Sequence, residues 1–415
     1  MNVVSATAVL PDQWILKKLK YVARMAAGDA ITSDEIRDEG EYPVFGGNGL
    51  RGYTDRFNRE GDFVLIGRQG ALCGNINYAS GQFWASEHAI VADVQGNAEV
   101  HWLGELLTFM NLNQYSQSAA QPGIAVEVIA NLPVPVPPRS TQKAISRFLV
   151  AETAEIDALI AAKQKLLDLM AEKRRAIVAE AVMRGLDPSV PLRPSGIDWL
   201  GDIPAHWEAL DLKWVVARVT SGVSVNATDQ PAQGDELGVL KTSAVLAGSF
   251  FPSENKSVWL HEYQRVSCPV SAGSIIVSRM NTPLLVGESG YVETDHPNLF
   301  LPDRLWKIET KVKRALPRFV AQVLSSPMVR SAISEMATGT SASMKNLSQE
   351  DLLNLPIPLP PLDEQQQIVE HISTETAKID RLRTATENSI ALLKERRAAL
   401  IAAAVTGQLE IPEAA

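Results

Sequence analysis

A chain of 415 residues is too long for one ordinary core and suits two or more domains. A hydrophobic content of 46% with 21% charged residues describes a soluble globular chain, and no apolar run reaches membrane-spanning length. The formal net charge of −9 excludes a strongly basic, stand-alone nucleic-acid binder.

In chain order, residues 1–135 read as a first mixed α and β domain. It opens with Pro11-Asp12-Gln13-Trp14 and Leu19-Lys20-Tyr21-Val22. Tyr42 to Gly49 is a short strand running into a glycine-rich turn. Gly61 to Gly67 reads as turn, buried strand, turn; Ala89 to Val94 is another strand, and Trp102 to Tyr115 a helix. Residues 136–184 form a first long helix, entered through the alternating prolines of Pro133-Val134-Pro135-Val136-Pro137-Pro138, which forbid helix and favour extended chain. Residues 185–204 form a linker, where Gly185 ends the helix and Pro188, Pro191 and Pro194 keep it from resuming; Trp199 is suited to dock on a neighbour.

Residues 205–358 make a second domain. Its strands are Leu237 to Lys241, Gly273 to Ser278 and Leu305 to Ile308. Phe319 to Met336 reads as one helix, and Thr338 to Lys345 as a loop. Residues 359–415 are a second long helix with a C-terminal tail. By our count residues 1–135 carry about −6 and residues 205–358 about −1, so any nucleic-acid contact has to come from local basic clusters, from hydrogen bonding or with help from a basic partner.

The two long helices belong to a repeat. Asn131 to Val182 and Asn354 to Val405 align without a gap, with roughly 22 identities over about 52 positions. Gln142 matches Gln365, Ile156-Asp157 matches Ile379-Asp380, and Arg174 matches Arg397. Trp14 with Leu19-Lys20-Tyr21-Val22 and Trp207 with Leu212-Lys213-Trp214-Val215 extend the repeat into the domains. In each helix a 4-3 spacing predicts a coiled-coil seam. The first seam runs Ile145, Leu149, Glu152, Ile156, Leu159, Lys163, Leu166, Met170, Lys173, Ile177. The second runs Ile368, Ile372, Glu375, Ile379, Leu382, Thr386, Ser389, Leu393, Arg396, Leu400. Each seam has Glu early and a base late. Antiparallel pairing sets acid near base at both ends, so we expect an intrachain antiparallel pair. The fold class is therefore α+β: two mixed α/β domains separated by two long helices in an antiparallel coiled coil, with a pseudo-two-fold internal repeat.

No sequence motif carries catalysis. A phosphate-binding loop, a strand–GxGxxG–helix cofactor site and an Asn/Asp-Pro-Pro-aromatic tetrad are lacking, and the six histidines have no metal spacing. Asp303 with Glu309-Thr310-Lys311 only loosely imitates a nuclease signature. Cys73 and Cys268 are lone thiols that fit a reducing cytoplasm, and the N-terminus lacks the pattern of a secretory signal. Polar side chains crowding turns give a better case for binding. In the first domain these are Asn48, Arg51, Tyr53 and Arg56, then Arg68 and Gln69 between glycines at a strand end, with His88 and Gln121 weaker. In the second they are Lys241, Thr242, Ser243, Arg279, Asn281, Arg304, Ser341, Ser343 and Lys345. Arg and Gln suit bidentate contacts to guanine and adenine edges.

The layout resembles the DNA-specificity subunit of type I restriction–modification systems. The resemblance rests on the twin proline–helix elements at Leu132 and Leu355, on Gly196-Ile197-Asp198-Trp199-Leu200-Gly201-Asp202-Ile203-Pro204 leading to Trp207, and on Pro43-Val44-Phe45-Gly46-Gly47-Asn48-Gly49. The first copy departs from it in having Arg139-Ser140-Thr141 where the second has Leu362-Asp363-Glu364. The resemblance implies two target-recognition domains, each reading half of a split asymmetric target in double-stranded DNA. It implies helices that dock two methyltransferase subunits, and restriction/translocase subunits held through the complex. S-adenosylmethionine, ATP and Mg then belong to those partners, and this chain is non-catalytic. Two other readings are a free-standing restriction or modification enzyme and a coiled-coil scaffold with no DNA role. A spacer of about forty helical residues, roughly 60 Å, leads us to expect half-sites about one DNA turn apart.

Overall fold

The computed structural model describes residues 10–70, 72–96, 98–116, 122–341 and 344–412. The chain divides into two compact units, residues 1–165 with 386–415 and residues 166–385. Candidate residues Gln121 and Ser343 lie outside the described residues.

The first unit is built on an antiparallel four-stranded sheet in the order Ala23–Ala27, Ala89–Val94, Phe63–Gly67, Ile76–Ala79. Its central strand obeys the two-residue period of a sheet. Val64 and Ile66 face a core of helix residues that includes Trp102, Leu103, Leu106 and Ile145. Leu65, between them, faces Phe83, Ala85 and Val91. A second four-stranded sheet runs Gly49–Thr54, Tyr42–Gly46, Gln82–Ala85, Arg59–Glu60, with Tyr42–Gly46 parallel to Gln82–Ala85.

The second unit repeats this plan. Its main sheet runs Val216–Ser221, Leu305–Thr310, Ile275–Ser278, Ser289–Tyr291. Ile275 and Val277 face the helical core and Ile276 the opposite one. Its second sheet runs Asn255–Ser257, Gly238–Leu240, His296–Phe300, Pro269–Val270, again with one parallel pair, Gly238–Leu240 with His296–Phe300.

The proline-rich entries are strands. Pro133–Val136 pairs antiparallel with Ile15–Lys18, and Pro356–Leu359 with Glu208–Asp211. The helices start just beyond, at Arg139–Arg184 and Leu362–Val405. A buried glutamine fastens each start. Gln142 donates Nε2–H to the Pro137 carbonyl at 2.9 Å and accepts the Glu99 N–H at 2.9 Å. Gln365 donates to the carbonyls of Pro360 (2.9 Å) and Arg314 (3.1 Å) and accepts the Leu316 N–H at 2.8 Å. These satisfy backbone groups that the prolines and helix starts leave open.

The helices pair antiparallel. In the first unit Arg397 Nε donates to both Asp157 oxygens (3.0 and 3.2 Å), and Ile145 and Leu149 share a core with Ile401, Ala404 and Val405. In the second unit Arg174 Nη1 donates to both Asp380 oxygens (2.9 and 2.8 Å). Under the repeat one pair maps onto the other. The seam itself differs from expectation. Ile156, Lys163 and Met170 turn inward, but the residues that share their face are Thr153, Ile160, Leu167 and Arg174, not Glu152, Leu159, Leu166 and Lys173. Leu159 and Leu166 are exposed. The second helix shifts likewise, with Thr376, Ile390 and Arg397 replacing Glu375, Ser389 and Arg396 and with Leu382 exposed. Neighbours at i+3 and i+4 share one helix face, and both were apolar at several steps, so spacing could not choose between them.

Three further expectations are corrected, and the docking expected of Trp199 is found. The helix expected over Trp102 to Tyr115 is Val100–Phe109 followed by a 3-10 turn Leu112–Tyr115, broken at Asn111, whose φ of 47° is left-handed. The helix expected over Phe319 to Met336 is two, Pro317–Ser325 and Pro327–Met336, because Pro327 forces Ser326 out of the helical region. The loop expected over Thr338 to Lys345 has strands Thr338–Ser341 and Met344–Asn346, with Met280–Asn281 completing a three-stranded sheet. The linker contains a hairpin, Leu192–Pro194 with Asp202–Pro204, and it packs Leu200, Ile203 and Trp199 on the second core. Among the described residues no helix is long and apolar enough to cross a membrane.

Candidate nucleic-acid interface

In the first unit the ladder between Phe63–Gly67 and Ala89–Val94 ends at Gly67 opposite Ala89. One residue further, the Arg68 N–H donates to the His88 carbonyl (2.9 Å), and the Arg68 carbonyl accepts the Ile124 N–H (2.9 Å). Gln69 bridges to Gly123, and the Gly70 N–H donates to the Pro122 carbonyl at 3.0 Å. The backbone of this corner is therefore held from both sides.

The glycines serve close approach. A Cβ on Gly67 would lie 2.3 Å from the Gly47 carbonyl oxygen and 2.8 Å from that of Leu72, and one on Gly47 would lie 3.0 Å from the His88 oxygen. The two glycine turns noted in the sequence are thus laid against each other. That brings Asn48, Arg68, Gln69 and His88 to one corner. Arg68 Nη1 donates to the Glu87 carbonyl at 3.3 Å, and the Gln69 Oε1 and His88 Nδ1 are 3.2 Å apart. His88 Nε2 lies 3.1 Å from a Glu87 carboxylate oxygen, and Asn48 Oδ1 accepts from Asn75 Nδ2 at 3.1 Å. Arg51 lays its aliphatic stem over Gly46 at the edge of the same turn. Tyr53 and Arg56 are engaged differently. Tyr53 exchanges backbone hydrogen bonds with Arg37, while Arg56 sits 4.5 Å over the Trp84 ring and pairs with Glu35.

The second unit builds the same corner with other side chains. The ladder ends at Ser278 opposite Leu305. The Arg279 N–H donates to the Arg304 carbonyl (3.0 Å), and the Arg279 carbonyl accepts the Leu347 N–H (2.8 Å). Arg304 thus stands where His88 stands, and Leu347 where Ile124 stands. The Arg279 guanidinium lies 5.7 Å over the Trp306 ring, and its buried Nε has no partner among the described residues. Asn281 pairs with Lys345 across the short sheet and donates Nδ2–H to Ser278 Oγ at 3.3 Å. Lys345 Nζ donates to the Ala337 carbonyl at 2.9 Å. Ser341 lies at the end of the neighbouring strand. Lys241 and Ser243 gather separately at Glu254, with Thr242 between them in the chain. There the Lys241 Nζ is 3.7 Å from the carboxylate, Ser243 Oγ donates to it at 2.6 Å, and Thr242 opens a 3-10 turn.

The sequence reading missed Asn75, Glu254 and Trp306, which orient candidates from other strands. Nothing local in the sequence marks them, because each acts across a strand pairing or a turn packed on a turn. The loose nuclease signature is an ordinary strand, with Glu309 near Arg218 and Lys307 and with Asp303 accepting from Ser224. Chemically, each corner offers hydrogen-bonding side chains on a fixed backbone, suited to reading base edges or phosphates.

Comparison with known proteins gives one family. The model of the type I restriction modification DNA specificity domain matches residues 11–168 and 254–391. The type I restriction enzyme EcoprrI specificity subunit of Escherichia coli is 44% identical over 137 residues, 32% of this chain and 34% of that one. The EcoKI specificity subunit of E. coli K12 is 25% identical over 280 residues, 66% of this chain and 57% of that one. The matches thus span from a third to little more than half the length of these two relatives. The EcoBI specificity subunit of E. coli is 23% identical over 428 residues, covering 96% of this chain and 86% of the relative. A solved structure from work on complex assembly and conformational transition of the type I R-M system overlays with a TM-score of 0.68 at 16% identity. It covers 97% of this chain and all of that one, and so shares its fold.

Proposed function

Because the chain belongs to the type I restriction modification DNA specificity family, we propose that it is the sequence-reading subunit of such a complex. Each unit reads one half of a bipartite target in double-stranded DNA through its strand-end corner. Methyltransferase subunits, two in number, dock on the chain and carry the methyl transfer with S-adenosylmethionine. Restriction/translocase subunits join through that complex and carry the ATP- and Mg-dependent steps. The chain itself does no chemistry and acts in the cytoplasm.

The observation that carries this reading is the twin corner. One backbone frame, Arg68 between His88 and Ile124, recurs as Arg279 between Arg304 and Leu347. The side chains displayed on it differ, His88 against Arg304 and Gln69 against Met280. A constant frame with varied side chains is what two readers of unlike half-sites need. The acidic net charge fits a chain whose phosphate contacts come partly from basic partners.

The test is to reconstitute the chain with its methyltransferase subunits and map methylated bases. Wild type should give one bipartite target. Arg68→Ala should relax preference in one half only, and Arg279→Ala in the other only, by about 1–3 kcal/mol each if they read bases. A complex that methylates without sequence preference would sink the reading; unchanged half-sites in both variants would remove only these two residues from it.

A further inference from the structure

The main sheet of each unit reaches its corner on one strand and leaves it by a turn. In the second unit that turn joins Ile275–Ser278 to Ser289–Tyr291, so it stands at the same end of the sheet as Arg279 and Arg304. Its tip carries Pro283-Leu284-Leu285, and Leu284 is 86% exposed. Turn tips in water ordinarily carry small or polar residues, because an apolar side chain there gains nothing from folding.

A loose tip would let this leucine fold back onto the surface, but the tip is pinned. Asn281 Oδ1 accepts the Thr282 N–H at 2.9 Å, and the Thr282 carbonyl accepts the N–H groups of Leu285 (3.0 Å) and Val286 (2.9 Å). From the helix Pro327–Met336, Arg330 donates to the carbonyls of Leu284 (3.1 Å) and Val286 (2.7 Å), and Ser334 Oγ donates to that of Pro283 (2.9 Å). Arg330 is itself fixed by Glu288, 3.3 Å from its Nε. Val286 is fully buried, and a Cβ on Gly287 would lie 2.3 Å from the Ile333 side chain. A backbone fixed before binding loses little freedom on contact.

The first unit makes the same turn without this tip. The Gly74 N–H donates to the Gly67 carbonyl (2.7 Å) as the Gly287 N–H does to that of Ser278 (2.6 Å). The Asn75 N–H donates to the Leu72 carbonyl (3.2 Å) as the Glu288 N–H does to that of Leu285 (3.1 Å). Leu72 is therefore the counterpart of Leu285. The turn from Ser278 to Gly287 is two residues longer than that from Gly67 to Gly74, and the residue before Leu72 in the sequence is Ala71. Beside the second tip there is also a cation. A cleft of about 580 Å³ separates Pro283 and Leu284 from the first long helix, where Arg175 is exposed and has no partner among the described residues. An apolar tip next to a free guanidinium suits a duplex, whose bases have apolar faces and whose backbone is anionic.

We propose that Leu284 is an apolar wedge that the second unit drives between two stacked base pairs of its half-site. The inference rests on the functional reading above and deepens it: one half-site is read partly by how readily a base step unstacks. Pyrimidine–purine steps unstack most easily, so the wedge selects such a step without touching a base edge.

The test uses the chain reconstituted with its methyltransferase subunits on duplexes of the mapped target. 2-Aminopurine replaces each adenine and pyrrolocytosine each cytosine in turn, apart from the base that is methylated; both brighten when unstacked. The wild-type complex should show a rise at one step within one half-site. Leu284→Ala should abolish it, relax preference at that step and weaken binding about 10-fold, the scale of one buried aliphatic side chain. Leu284→Met should keep the rise, and the other half-site should be unaffected in both variants. Circular dichroism should not change, since Leu284 is exposed. No rise with wild type, or a rise that survives in Leu284→Ala, would overturn the proposal. A complex with no sequence preference at all would instead bring down the functional reading itself.

Discussion

Replacing Gln365 by alanine removes three hydrogen bonds from a fully buried position at the start of the second long helix. The Leu316 N–H, the Arg314 carbonyl and the Pro360 carbonyl all lose a partner. Leaving one buried polar group unsatisfied costs about 1–3 kcal/mol, and neighbouring losses are not additive, so the whole change should cost about 3 kcal/mol. Gln142 holds fewer groups, the Glu99 N–H and the Pro137 carbonyl, so its alanine variant should cost about 2 kcal/mol. A chain of two units does not unfold in one step, so native-state hydrogen exchange is the appropriate assay. In Gln365→Ala the amides of Ile308 and Leu324, in the core of the second unit, should lose protection about 100-fold, since 1.4 kcal/mol is tenfold. Amides of Ile66 and Leu103 in the first unit should not change. A loss under threefold at Ile308, or an equal loss in both units, would refute the idea that this glutamine fastens helix to domain.

Gly67→Ala puts a Cβ 2.3 Å from the Gly47 oxygen, so it should destabilise the first unit by about 1–3 kcal/mol and blur only that half of the target, read by melting and methylation mapping. The Asp157–Arg397 pair is part exposed, so a double-mutant cycle should give a coupling of only about 0.2–1 kcal/mol; more than 2 kcal/mol would mean the pair is shielded from solvent. Burial holds the Glu105 carboxyl above its ordinary value, against the opposing pull of Arg397 and its hydrogen bond with Tyr78. A raised folded-state pKa means stability is fully present below the unfolded value, near 4.5, and declines as pH rises through the folded one. Glu105→Gln should flatten that decline in melting curves taken from pH 4 to 8; an unchanged slope would show that another group causes it.

The sequence by itself determined the plan of this protein. The ungapped repeat disclosed two like units, alternating prolines fixed where helix could not begin, and glycine-free runs fixed where it continued. Acid-early, base-late patterning correctly gave antiparallel pairing, because charge order along a helix survives a one-residue error in register. The tertiary structure alone decided that register. Leu159 and Ile160 are both apolar and adjacent, and contacts with a helix more than two hundred residues away, such as Asp157 with Arg397, choose between them. It also decided which candidates share a corner. Arg68 and His88 meet because their strands pair, whereas Arg56 is drawn to Trp84 and Glu35, and Lys241 and Ser243 to Glu254. Local sequence sets which conformations a segment prefers. Which distant hydrogen-bond partner or ring it meets depends on chain closure over long separations, and that information is not written in any one stretch.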